Sequence, residues 1–204
     1  MWDAFLKVAP PVVQAVSIAV TAVFAILGLR AWRRQLLGRR KIEIAEGTLL
    51  ATYKVQEAMA YIRNPGALVG ASTRERQSDE PEGLARLRDS YFVPLERMQK
   101  TSGDFAEFEK MQLLCQVYFG PEAGQPFERV KTARHTVSVA ARMLLQTAGE
   151  YGMDSDSNRK LVAKWYSHIW EGYGVEGAQP DELTDTVTRA VADIEAMCRP
   201  HLKL

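Results

Sequence analysis

The sequence predicts an all-α protein: a single N-terminal transmembrane helix continuing into a cytoplasmic bundle of about five to six helices. Three observations carry this reading. Residues 8–29 contain no charged side chain. Six cations follow at once: Arg30, Arg33, Arg34, Arg39, Arg40 and Lys41. Beyond them, apolar residues recur three and four apart, the helical period, and nowhere alternate as a half-buried strand requires. The chain therefore divides into a short extracytoplasmic N-terminus (1–7), a span (8–29), a basic juxtamembrane segment (30–41) and a cytoplasmic helical domain (42–204).

The uncharged run is 22 residues long. At about 1.5 Å per residue it reaches roughly 33 Å, enough for a hydrocarbon core of about 30 Å. Its polar members, Gln14, Ser17 and Thr21, are tolerated, since a hydroxyl can bond a carbonyl one turn earlier. Pro10 and Pro11 suit a first helical turn, so the ordered helix is expected to begin near them. Only Asp3 and Lys7 precede the run, against six cations behind it. The positive-inside bias then places the N-terminus outside and the rest in the cytoplasm. Trp2 and Trp32 bracket the span as interfacial anchors. With the six flanking cations they form the predicted lipid-contacting set, each cation contributing about 1 kcal/mol at an anionic surface. A cleaved signal would carry its charge ahead of the apolar run and small residues behind it, but Arg30-Ala31-Trp32-Arg33 follows. A buried core helix is shorter, about 10–14 apolar residues.

The net charge is +1, so residues beyond the basic flank are mildly acidic overall. A nucleic-acid-binding domain concentrates cations on one surface, and none is expected here. About 160 residues remain for one domain, enough for a hydrophobic core. Cys115 and Cys198 match no metal spacing and read as buried free thiols in a reducing compartment.

Lys41 to Ile62 continues the helix from the membrane, with Ile42, Ala45, Leu49, Tyr53, Met59 and Ile62 inward and Gly38 and Gly47 as weak points. Asn64-Pro65-Gly66 ends it, and the polar segment 66–83 forms the longest loop. The next helix runs from Leu84 to Lys100 and should be kinked or split at Pro94. Ser102 or Asp104 caps a third, with Phe105, Phe108, Met111, Cys115 and Tyr118 on one face and Gly120-Pro121 as its stop. The fourth runs from Pro126 to Tyr151. Asp154, Ser155, Asp156 and Ser157 then make a capping-rich turn. The fifth carries Leu161, Trp165, Ile169 and Tyr173 and is broken at Gly172, Gly174 and Gly177. Pro180-Asp181-Glu182 opens the sixth, which Pro200 closes.

Chemistry is sparse. His135, His168 and His201 form no metal-ligand pair at helical spacing, and no cofactor motif or nucleophile signature is present. Trp165, His168, Trp170 and Tyr173 make the one candidate ligand pocket, although such an aromatic stripe more commonly closes a core. Glu43, Glu46 and Glu57 read as a solvated helix face. Arg63 with Asn64 could hold an anion, while a C-terminal cation complementing the helix dipole is the simpler account. Ala15/Ala19 and Ser17/Thr21/Ala25 place small residues four apart, a spacing that lets membrane helices approach.

Several segments carry a resemblance: Ala-Trp-Arg-Arg-Gln-Leu (31–36), Gly-Arg-Arg-Lys-Ile-Glu (38–43), Ala-Glu (45–46), Ile-Arg-Asn-Pro (62–65) and Ile-Glu-Ala-Met-Cys-Arg-Pro (194–200). With the order of span, basic flank and helical tail, the chain resembles a group of small, uncharacterised bacterial inner-membrane proteins. The resemblance implies location and architecture; it brings no activity and no catalytic residue. A full-sized domain without a catalytic constellation favours a membrane-anchored interaction or scaffold module. Its expected partners are membrane lipids and a protein, or a second copy of itself. The alternatives are a membrane-acting stress or phage-defence effector that oligomerises through its span, and an enzyme with an unrecognised site.

Overall fold

Helical periodicity is realised in every α-helix among the described residues. The computed structural model describes residues 2–67, 74–149, 156–173 and 181–202, with 2–16 and 67 described by their backbone alone. Among the described residues there are six α-helices and no strand: α1 (Trp2–Arg63), α2 (Glu82–Lys100), α3 (Ser102–Phe119), α4 (Gln125–Thr147), α5 (Asp156–Ile169) and α6 (Glu182–Leu202). They fall into two compact units, Met1–Glu43 and Ile44–Leu204.

In the first unit the backbone is helical from Trp2, well ahead of the expected start at Pro10 and Pro11. Proline already has the helical φ, and a ladder extending on both sides outlasts the bonds it omits. Every side chain from 17 to 40 is exposed, whichever face it occupies. Ile18 is 63% and Phe24 70% exposed. Thr21 donates its hydroxyl to the Ser17 carbonyl at 2.8 Å. Arg39 and Arg40 both pair with Glu43, at 3.7 and 3.0 Å. Among the described residues no helix is long and apolar enough to cross a membrane. Residues 8–16 of the expected span lie outside the described side chains. An 18-residue stretch starting at Ser17 already takes in Arg30, Arg33 and Arg34.

In the second unit α1 buries Ala45, Met59 and Ile62 as expected, but not Tyr53. Tyr53 is exposed, its hydroxyl donating to Glu195 at 2.8 Å. The buried face is Ile44, Ala45, Thr48, Ala51, Thr52, Val55, Ala58, Met59 and Ile62. Its alanines and threonines let neighbours come close. Thr48 Oγ1 lies 3.2 Å from Cys115 Sγ, and Thr52 donates to the Thr48 carbonyl at 2.7 Å. Gly47 does not weaken the helix: a Cβ there would stand 3.2 Å from Met111 Cε, so glycine serves close approach to α3. Gly38 does not interrupt α1 either.

The remaining helices form around apolar stripes, with ends set by local chemistry. Pro94 is buried inside α2 and does not split it. Buried neighbours Val93 and Met98 hold the turn that lacks its hydrogen bond. α2 and α3 are separated by Thr101 alone, so the expected side-chain cap at Ser102 or Asp104 is not made. Ser102 instead donates to the Gln99 carbonyl at 2.7 Å. Gly120 (φ 109°) ends α3 in a conformation that disfavours other residues. α4 ends at Thr147, short of Tyr151, which lies outside the described residues, as do Asp154 and Ser155. α5 ends at Ile169, before Gly172; Gly174, Gly177 and Pro180 are also outside them. Asp181 accepts the Thr184 N–H at 3.1 Å at the head of α6. Pro200 does not close α6, which continues to Leu202. His201 is held there by stacking on Phe119 at 4.5 Å.

α4 packs against α2, α5 and α6, and Phe127 meets Phe108 of α3 at 4.7 Å between ring centroids. Trp170, Phe105, Phe108, Phe127, Leu144 and Ile194 are fully enclosed. Each such side chain contributes about 1.5–3 kcal/mol by leaving water. Cys115 and Cys198 are buried free thiols, as expected.

Three arginines close the helix ends. Arg97 of α2 donates to the carbonyls of Tyr61 and Asn64 at 2.8 and 2.7 Å, and so caps the C-terminus of α1. Arg63, in the last turn of α1, donates to the Ser167 and His168 carbonyls at the end of α5, both at 3.0 Å. It also reaches Asp181 at 2.7 Å and Thr184 Oγ1 at 2.9 Å, at the start of α6. Arg88 donates to the Ala148 carbonyl after α4 at 3.2 Å. Helix C-termini leave carbonyls without intrahelical partners, and a guanidinium satisfies several at once.

Candidate functional site

The four residues of the candidate pocket differ in their burial. Trp170 is fully enclosed in the core, and among the described residues its Nε1–H has no partner. Trp165 is half-buried against the same core. Tyr173 is 47% exposed and meets the Tyr166 ring edge-on at 5.4 Å. His168 faces a groove, of about 440 Å³, between α4, α5 and α6. Helical periodicity put all four on nearby positions of one stretch. The chain leaves α5 at Ile169, however, and the last two then follow a turn rather than a helix face.

Burial pushes the His168 imidazole below its usual pKa, and the nearby cations Lys164 and Arg63 add to this. It is therefore neutral near pH 7. Among the described residues it makes no side-chain hydrogen bond, so nothing orients it as a catalytic base is oriented. Around it stand Lys164, Arg129, Glu128, Glu182 and the hydroxyls of Thr132 and Thr186. Two cations and two carboxylates balance here. No three His, Cys, Asp or Glu side chains converge as metal ligands among the described residues.

The basic flank is presented to solvent. Arg30, Arg33, Arg34, Arg39 and Arg40 are exposed, Lys41 is half-buried and Trp32 is 59% exposed. The Trp2 side chain lies outside the described residues. No carboxylate among the described residues pairs with Arg30, Arg33 or Arg34, whereas Arg39 and Arg40 share Glu43. Glu46 and Glu57 are exposed, as a solvated face requires. Arg63 is 3% exposed and fully occupied by carbonyls and Asp181, so it offers no anion site. Its neighbour Asn64 instead accepts the Gly66 N–H at 2.8 Å.

A second groove, of about 450 Å³, runs between α2, α3 and α4. Lys131, Arg134, Ser138 and Arg142 of α4 line one side. Sequence reading passed over this stripe because the mildly acidic total hid it. Spacings of three, four and four along one helix were its signal.

The chain matches no family model, and no curated protein or solved structure is significantly similar to it.

Proposed function

We propose that this chain is a single-pass bacterial inner-membrane protein whose residues 8–29 cross the bilayer with the N-terminus outside. Its second unit acts in the cytoplasm as a helical recognition module that recruits or regulates a protein partner. The observation that carries the reading is the unpartnered helix surface of residues 17–29. Every residue there is exposed, and Ile18, Val20, Val23, Phe24, Ile26, Leu27 and Leu29 point to all sides. A helix that is apolar all round needs an apolar surrounding, and a bilayer supplies one. The next turns carry exposed Arg30, Trp32, Arg33 and Arg34, the composition of a cytoplasmic membrane boundary. Trp2, Arg39, Arg40 and Lys41 complete the proposed lipid-contacting set.

For the second unit, support comes from its enclosed core, with grooves on the helix surface around it. The test is crosslinking and affinity purification of the intact tagged protein from native membranes, beside a version ending at Lys41. A recurrent protein lost with the truncation is expected. If both versions recover the same proteins, the recognition role of residues 44–204 is wrong. If the protein washes out of the membrane fraction in carbonate, the span is wrong.

The small-residue face favours a second reading, self-association through the span. Thr21 spends its hydroxyl on its own helix, so Ser17, Thr21 and Ala25 need no polar partner and can pack closely. Recovery of only the protein itself, in both versions, would select this reading and the effector role it allows. Thr21→Leu should then disrupt the oligomer.

A further inference from the structure

The groove between α2, α3 and α4 has a one-sided charge pattern. Lys131, Arg134 and Arg142 stand on its wall against one carboxylate, Glu109. Two hydroxyls, Ser138 and Ser102, stand with His135 and Gln99 among the further donors, and the Ser102 hydroxyl already bonds the Gln99 carbonyl.

Arg134 is the informative residue. Its guanidinium carbon lies over the Phe105 ring, 4.1 Å from the centroid, and Phe105 is itself buried. A guanidinium held against an aromatic face keeps N–H groups that can donate to another group. The side chain is half-buried, and burial lowers its pKa with only partial opposition from Glu109. Yet among the described residues no carbonyl, hydroxyl or carboxylate accepts from it. The other half-buried or buried arginines among the described residues, Arg63, Arg74, Arg88, Arg97 and Arg129, all donate to named acceptors. A partly desolvated guanidinium without acceptors is costly unless something outside the chain supplies them.

Arg142 likewise has no acceptor among the described residues and is exposed on the same helix face. The rise between the two arginines is about 12 Å, a gap that two long side chains close onto one group. Lys131 is partly engaged, with Glu128 at 2.9 Å and Gln112 at 3.4 Å, and contributes as a nearby charge.

We propose that this groove binds a phosphate-bearing ligand, held by the Arg134 and Arg142 guanidiniums with Ser138 between them. A phosphate matches the site in charge and in geometry. Planar forks bond its oxygens pairwise, and a hydroxyl fills a remaining acceptor position. A groove of this volume holds a diphosphate or a small phosphate ester. The ligand is either a soluble phosphate compound or the headgroup of a phospholipid. The inference does not depend on the membrane-anchor reading.

The test uses the full-length chain in nonionic detergent, with thermal stabilisation and calorimetric binding as readouts. The probes are inorganic pyrophosphate and, separately, phosphatidic acid against phosphatidylcholine doped into the micelle. The variants are Arg142→Gln, which is exposed and leaves the core untouched, and Arg134→Lys, which keeps the charge but loses the fork. The site predicts binding that weakens about tenfold or more in each variant. Pyrophosphate binding with that loss supports a soluble ligand. Response to phosphatidic acid alone, with the same loss, supports a headgroup. Absence of binding by either probe, or binding that Arg142→Gln and Arg134→Lys leave unchanged, overturns the proposal.

Discussion

Arg63 shows how one side chain can hold several helices. Its guanidinium joins the carbonyl end of α5 to Asp181 and Thr184 at the head of α6 while it sits in the last turn of α1. Asp181 is opposed by its own burial, but Arg63 and the N–H groups of Thr184 and Gly172 outweigh that and hold its carboxyl below the usual range. Arg63→Ala should therefore destabilise the second unit by about 3–5 kcal/mol, since it strands a carboxylate and several carbonyls. Arg63→Lys should recover less than half of this, because a point charge cannot reach acceptors spread along a fork. Urea unfolding with equal m-values tests both; a loss under about 1 kcal/mol for Arg63→Ala would contradict the assignment.

The thiols belong to the same scale. Burial pushes Cys198 up to about 12, with nearby Cys115 adding to the shift. Burial also raises Cys115, against a lowering from its contact with Thr48. The thiolate is the reactive form, so neither cysteine should alkylate at pH 8 in the folded protein, and both should do so in denaturant. Fast labelling of the native chain by iodoacetamide would show that the helices around Cys115 open readily.

At the level of elements, the segment 74–82 is strapped to α2 by charge. Arg74 pairs with Glu80 at 2.6 Å and Asp89 at 2.9 Å, Arg76 pairs with Asp89 at 2.6 Å, and Arg88 reaches Glu80 at 2.8 Å. The bonds from Arg74 and Arg88 hold Glu80 below its ordinary pKa against the effect of burial. Asp89 is raised by burial but lowered further by Arg76 and Arg74, so it too lies below. Unfolding thus takes up protons as the pH falls. The contribution is full above about pH 4, the unfolded value of such carboxyls, and drains away as pH drops through the lower folded values. Hydrogen exchange should show protection of residues 74–80 lost near pH 3 while α4 remains protected. Equal loss in both segments would mean global unfolding instead. Most of this strap was illegible in sequence, where 66–83 reads as a polar loop. Its order comes from carboxylates on α2, and alternating Arg and Glu signal a solvated surface as readily as a network.

At the scale of the molecule, the second unit encloses its own core from Ile44 onward. A chain of residues 44–204 should therefore fold alone, with helical circular dichroism and one cooperative melt. A broad, non-cooperative transition would show that residues before 44 are needed.

The sequence alone determined the all-α class and, among the described residues, many of the helix ends, though not the start of α1 or the ends of α4, α5 and α6. Apolar spacing and the stops at Asn64-Pro65 and Gly120-Pro121 are local signals, and they need no partner to act. Tertiary structure decided which face of α1 is buried, since Thr48 and Ala51 outrank Tyr53 only when α3 and α6 press close. It decided that Pro94 and Pro200 sit inside helices, because packed neighbours offset a missing hydrogen bond. It also gave Trp165, His168, Trp170 and Tyr173, neighbours in one stretch of sequence, different degrees of burial. Finally it assigned the arginines: Arg63, Arg88 and Arg97 spend their donors on helix ends, while Arg134 is left over a phenyl ring with its donors unused. Charge type is written in the sequence, but which acceptor a long side chain meets depends on helices distant along the chain.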